Sequence, residues 1–222
     1  MMRFIYSLFA IAVLLSNSMC AQTKNEPLRY LALGDSYTIG ESVTEKERWP
    51  VILAEALTQQ GTSVGKPKII AVTGWRTDNL INGINIAQLK DHYDLVSLLI
   101  GVNNQYQGKP VSEYEREYED LIKTAIALAD GKKDRVFVVS IPDYGFTPFG
   151  KARQKEISTA LDEFNAVNKK ITEAYGISYF NITDISRLGL EDPELVASDG
   201  LHPSGKQYSL WVERIMKGLA VK

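Results

Sequence analysis

Asp199 and His202 stand three positions apart in Ser198-Asp199-Gly200-Leu201-His202-Pro203-Ser204, near the C-terminal end of a 222-residue chain that contains two histidines. A carboxylate at that spacing suits a histidine that must be held in one tautomer to act as a general base. A base of this kind needs a nucleophile. Gly34-Asp35-Ser36 offers one near the other end, directly after an apolar run. Serine, histidine and aspartate together are the chemistry of a serine hydrolase working through a covalent intermediate.

The segments between these ends must bring them together. Tyr30-Leu31-Ala32-Leu33 is a short apolar run that predicts a buried strand. Trp49-Pro50 opens a helical pattern through Leu53, Ala56 and Leu57 that Gly61 ends, proline suiting a first helical turn. Residues 68–72 read as the second strand, and a helix starts near Thr77-Asp78, both good caps, carrying Leu80, Ile81, Ile84 and Leu89. Residues 95–100 form the third strand, ended by Gly101. Residues 113–129 form an amphipathic helix with Tyr114, Tyr118, Leu121, Ile122 and Ala125 inward. A fourth strand over 136–141, a helix over 153–175, a fifth strand over 177–181 and a helix over 204–219 complete the pattern. Five strand–helix repeats, with strands apolar on both faces, predict a parallel sheet covered by helices on both sides. Ligands of such sheets bind outside the carboxyl ends of the strands. Three segments begin there: Gly34-Asp35-Ser36-Tyr37, Thr73-Gly74-Trp75-Arg76 and Gly101-Val102-Asn103-Asn104.

Composition narrows the class. With 45% hydrophobic and 23% charged residues the chain reads as one globular domain, over 27–222. A net charge of −2 offers no basic patch, which argues against a nucleic-acid partner. Arg3, the apolar run over 8–15 and the small polar residues after it read as a secretory signal peptide over 1–20, too short to span a bilayer comfortably. Cleavage near Cys20 leaves a secreted or periplasmic protein; lipidation of Cys20 leaves a membrane-anchored lipoprotein. Cys20 is the only cysteine, so the mature domain has no internal disulfide and no thiol nucleophile. A second histidine ligand is missing beside His202, so neither a metal nor a cofactor is expected.

The blocks resemble those of the SGNH hydrolases, the GDSL-type esterases and lipases, and the resemblance covers essentially the whole mature chain. Ser36 matches the family's nucleophile, Gly74 the glycine of the second block, Asn103 the asparagine of the third, and Asp199 and His202 the closing Asp-x-x-His. The resemblance implies a three-layer α/β/α sandwich with a five-stranded parallel sheet, similar to flavodoxin. It also implies a triad of Ser36, His202 and Asp199, and an oxyanion hole made by the N–H groups of Ser36 and Gly74 with the Asn103 amide. Its implied partner is a small-molecule ester: a short-chain acyl ester, an acetylated carbohydrate or a lysophospholipid. Two letters depart from the family's usual ones, Tyr37 where leucine is common and Asn104 where many members have aspartate. On those departures rests the alternative, a catalytically silent member that binds glycans or lipids.

Neighbouring residues have expected places as well. Asp35 and Asp143 are read as loop braces. Tyr37, Trp75, Arg76 and Tyr106 are candidates either for lining the pocket or for packing, and His92, before the third strand, belongs at the opposite edge of the sheet.

Overall fold

Chain order runs β1 (Tyr30–Gly34), α1 (Ser36–Ile39), α2 (Trp49–Gln59), β2 (Lys68–Ala71), α3 (Thr77–Ala87), β3 (Leu95–Leu99), α4 (Val102–Tyr106), α5 (Val111–Leu128), β4 (Val136–Val139), α6 (Gln154–Ala174), β5 (Ser178–Phe180), α7 (Thr183–Ser186) and α8 (Gly205–Met216). The computed structural model describes residues 26–89 and 92–220. The leader segment, with Cys20, lies outside the described residues.

The five strands form one parallel sheet in the order β2-β1-β3-β4-β5, the flavodoxin-like order. Every residue of β1, β3 and β4 is buried, as strands covered on both faces must be. α2 and α8 pack together, while α5 packs against both α3 and α6. The chain leaves β1 toward one edge and returns through β3 toward the other. Its switch point therefore lies between β1 and β3, where Gly34 pairs with both Ala71 and Leu99. Three strands end level there, and the loops that follow them start side by side.

Helix periodicity accounts for the packing. Tyr114, Tyr118, Leu121, Ile122 and Ala125 are the buried residues of α5, the inward set expected from the sequence. Trp49 and Trp211 are fully buried on α2 and α8, and the Trp49 ring meets Phe137 of β4 edge to face at 6.3 Å. Pro50 sits in the first turn of α2, where a missing N–H costs nothing.

The structure differs from the sequence reading at the ends of elements. Thr77 is the first residue of α3 rather than its cap; the cap is Arg76, whose N–H donates to the Asn79 side chain at 3.1 Å. The short helices α1, α4 and α7 were not expected at all, and two of them carry residues of the site.

Candidate active site

Ser36 opens α1 at the C-terminal end of β1. Asp35 caps that helix, its Oδ1 accepting the Tyr37 N–H at 3.0 Å. Gly34 lets the helix start so close to the sheet: a Cβ there would run into the Thr38 side chain and the Leu99 carbonyl. Ser36 is therefore a first-turn residue, and its N–H is one of the donors that a helix leaves unpaired at its N-terminus.

Asp199 and His202 lie in a tight loop before α8. The Ala197 N–H donates to the His202 carbonyl at 2.7 Å and the Ser204 N–H to the Leu195 carbonyl at 2.9 Å, closing the loop at its base. The chain wraps around the Asp199 carboxylate. Oδ1 accepts the N–H groups of Leu201 and His202, each at 2.9 Å, while Oδ2 lies 2.6 Å from His202 Nδ1. This wrapping is the physical reason for two intervening residues: one carboxylate fixes the backbone of residue i+3 with one oxygen and its ring with the other. Because an ionised carboxylate can only accept, Nδ1 carries the proton and Nε2 is left as the basic nitrogen. Partial burial pushes the Asp199 carboxyl up, but the bonds from Ser42, His202 and Leu201 outweigh it and hold the group well below the usual carboxylate range. The imidazole side chain is 11% exposed, and Tyr37 lies edge-on to it, with ring centroids 5.7 Å apart.

Gly74 and Asn103 face the same region from the other two loops. Gly74 adopts φ 82, left-handed backbone that favours glycine. A Cβ there would meet nothing within 4 Å, so its backbone angle, rather than crowding, is what calls for glycine. Asn103 sits in the first turn of α4 and donates one N–H of Nδ2 to the Trp75 carbonyl at 3.0 Å. That bond fixes which end of the amide is nitrogen and leaves its second N–H available.

Asn104 is fully buried and ties the two loops together. Its Oδ1 accepts the Thr77 N–H at 3.1 Å, and its Nδ2 donates to Thr77 Oγ1 at 2.7 Å. Thr77 Oγ1 in turn donates to Glu117 on α5. An aspartate could not supply the donor in this chain, and it would place a second carboxylate around one hydroxyl. The departure at 104 is thus matched to Glu117. The departure at 37 is a packing residue, Tyr37 lying buried between His202 and Trp211.

Ser36, Tyr37, Thr73, Gly74, Val102, Asn103, Tyr106, Tyr144, Phe149, Leu201 and His202 line one cleft of about 280 Å³. Tyr106, Tyr144 and Phe149 form an aromatic wall, their centroids 6.1–6.3 Å apart. Among the described residues no hydrogen bond joins Ser36 to His202. Trp75 and Arg76 do not line the cleft. The Trp75 ring lies where a Cβ on Gly83 would fall, and Arg76 pairs with Asp78 at 2.7 Å. Asp143 braces its loop through the Gly145 N–H at 2.9 Å and Arg187 at 2.9 Å. His92 is exposed, 3.9 Å from Asp130, at the opposite edge. Among the residues that escaped the sequence reading are Ser42, which donates to Asp199 Oδ2 at 2.6 Å, and Phe149. Neither belongs to a block, and no periodicity marks them. Among the described residues no group of three or more His, Cys, Asp or Glu could hold a metal, and no helix is long and apolar enough to cross a membrane.

A flavodoxin-like sheet whose first, second and third strand-end loops carry Ser36, Gly74 and Asn103 above an Asp-x-x-His loop has the SGNH hydrolase fold. The sequence places it more closely: the model of the GDSL-like lipase/acylhydrolase family matches residues 32–210, and the chain belongs to that family. No curated protein matches the chain. Among solved structures it is similar to TesA, with a TM-score of 0.68 at 14% identity over 85% of this chain and 96% of that one. It is similar as well to the psychrotrophic esterase EstA from Pseudoalteromonas sp., with a TM-score of 0.65 at 17% identity over 86% and 95%. The acetylxylan esterase Axe2 from Geobacillus stearothermophilus aligns with a TM-score of 0.65 at 18% identity over 88% and 95%.

Proposed function

We propose that this chain is a carboxylic-ester hydrolase that works through an acyl-enzyme on Ser36. The observation that carries the reading is the shared cleft, in which Ser36, Gly74, Asn103 and a carboxylate-anchored His202 meet from four separate loops. Ser36 Oγ attacks the ester carbonyl carbon as His202 Nε2 takes its proton. The carbonyl oxygen becomes an oxyanion, met by the N–H groups of Ser36 and Gly74 and by the free N–H of Asn103. The intermediate collapses, the alcohol leaves with the proton from His202, and the acyl group stays on Ser36. Water then attacks the acyl-enzyme with His202 again as base, releasing the acid and restoring the serine. Asp199 holds the imidazole and stabilises its charged form throughout.

The cleft suggests the substrate class. Its lining is mostly apolar, with His202 the only ionisable group besides tyrosine. Its tyrosine and amide groups are partly committed already, Tyr144 to Gln105 at 3.0 Å and Asn103 to Trp75. These features favour a neutral ester with a short to medium acyl group. The N-terminal leader reading adds that the enzyme works outside the cytoplasm, a proposal supported by Arg3 and the apolar run before Cys20.

The decisive experiment is Ser36→Ala, with p-nitrophenyl acetate and butanoate as substrates and a fluorophosphonate as label. We expect turnover to fall by about 10³-fold or more, no label on the variant, and an unchanged circular-dichroism spectrum. A folded Ser36→Ala protein that still hydrolyses the esters overturns the assignment.

A further inference from the structure

Gly40-Glu41-Ser42 follows the nucleophile helix, and its polar groups reach three different parts of the site. The N–H groups of Gly40 and Glu41 both donate to the Ser36 carbonyl, at 3.1 and 3.0 Å. The Glu41 carboxylate accepts from Thr73 Oγ1, the residue immediately before Gly74. Ser42 Oγ donates to Asp199 Oδ2 at 2.6 Å, the same oxygen that holds His202 Nδ1. Ser42 does this at φ 64, a left-handed backbone that a residue with a side chain keeps only when its surroundings hold it there.

We propose that Gly40–Ser42 is a clasp that sets the working geometry of the site, with Ser42 positioning the acid and Glu41 positioning the oxyanion loop. The inference rests on the ester-hydrolase reading above. Its two halves act on different steps of catalysis. By donating to Oδ2, the Ser42 hydroxyl fixes the carboxylate plane and takes up part of its negative charge. Without it Asp199 binds the imidazolium more strongly but less well aligned. Glu41, through Thr73, holds the Gly74 N–H on the oxyanion. Its loss weakens transition-state binding and leaves the base untouched.

Other groups face this pair. Tyr37 from α1 lies against the His202 ring, and the charges of Asp35, Asp199, Glu41 and Arg48 act on the buried Tyr208 of α8. Burial holds both tyrosines well above their ordinary range, so they stay neutral.

The experiment uses Ser42→Gly, because glycine accepts φ 64 and the variant should fold at least as well as the wild type. Its kcat/KM at neutral pH is expected to fall about tenfold to a hundredfold. In the substrate-free protein the NMR signal of the His202 Nδ1 proton should shift, a readout independent of turnover. Glu41→Ala and Thr73→Val should each lower kcat by about tenfold with the His202 Nδ1 signal unmoved, and together should cost no more than one alone. Glu41→Gln, which keeps an acceptor for Thr73, should recover most of that loss. If Ser42→Gly folds with wild-type kcat/KM and Nδ1 signal, the Ser42 half is overturned. Losses that multiply in the Glu41–Thr73 double variant overturn the other half. Ser36→Ala separates this failure from failure of the parent reading, since an inactive Ser36→Ala beside an unchanged Ser42→Gly removes the clasp alone.

Discussion

Asp35 and Asp199 flank the nucleophile in opposite environments. Asp35 is fully buried, and its Oδ2 has no hydrogen bond of good geometry among the described residues. Burial raises its carboxyl to about 7, with the N–H groups of Tyr37 and Gly101 pulling it only partway back. Asp199 is partly open to solvent and surrounded by donors, and it stays ionised far into acid. The raised group has a consequence for stability. Between its ordinary value of 3.8 and about 7 the folded chain holds a proton that the unfolded chain has lost. Asp35's contribution is therefore fully present below pH 3.8, falls as pH rises toward 7 and is constant above that. The integrated effect is on the order of 4 kcal/mol. Chemical denaturation of wild type and Asp35→Asn from pH 4 to 8 measures it: the wild type should lose stability relative to the variant across that window. Parallel curves would show that Asp35 ionises normally.

At the scale of elements, short helices do the positioning. Ser36 and Asn103 sit in first turns of helices of four and five residues, α1 and α4. Asn104 on α4 then locks the start of α3 through Thr77, and Thr77 locks to Glu117. Replacing Asn104 by Asp leaves two carboxylates competing for one hydroxyl proton in a buried place. We expect a loss of about 1–3 kcal/mol at neutral pH, measured by urea denaturation, with kcat/KM falling as the Gly74 loop loosens. Adding Glu117→Gln should restore most of both; no recovery would mean that Glu117 is not the reason for Asn104. These helices also mark where the sequence is hard to read. A four-residue turn has no periodicity, so α1 and α4 hide inside blocks recognisable only by their letters. The strands were plain because burial on both faces leaves apolar runs such as 95–99 and 136–139. Ser36, Gly74 and Asn103 were legible because each follows a strand end, and Asp199 and His202 because of their spacing. Ser42 and Phe149 were not, because their roles come from where the loop lies in space, which no spacing encodes.

For the whole molecule, the cleft limits what can be cleaved. About 280 Å³ holds roughly nine water-sized groups, enough for an ester carbonyl and a short chain. Each methylene buried against Val102, Tyr144 and Phe149 contributes about 0.8 kcal/mol, roughly fourfold in kcat/KM. Across p-nitrophenyl esters, kcat/KM should climb from acetate to about hexanoate and then level off or fall, while Phe149→Ala should flatten the climb. A profile that keeps rising through dodecanoate would mean the acyl chain lies elsewhere. The hydrogen bond from Ser42 to Asp199 joins residues 157 positions apart in the chain. On the proposed triad, Ser36 has neither base nor acid until the last loop and α8 have docked against α2. Chain synthesis and refolding thus yield an inert serine for most of their course, and hydrolysis begins only when the two ends of the sequence meet. Recovered turnover is accordingly a stricter measure of native structure than recovered helix or sheet, because it registers contacts between the two ends of the chain.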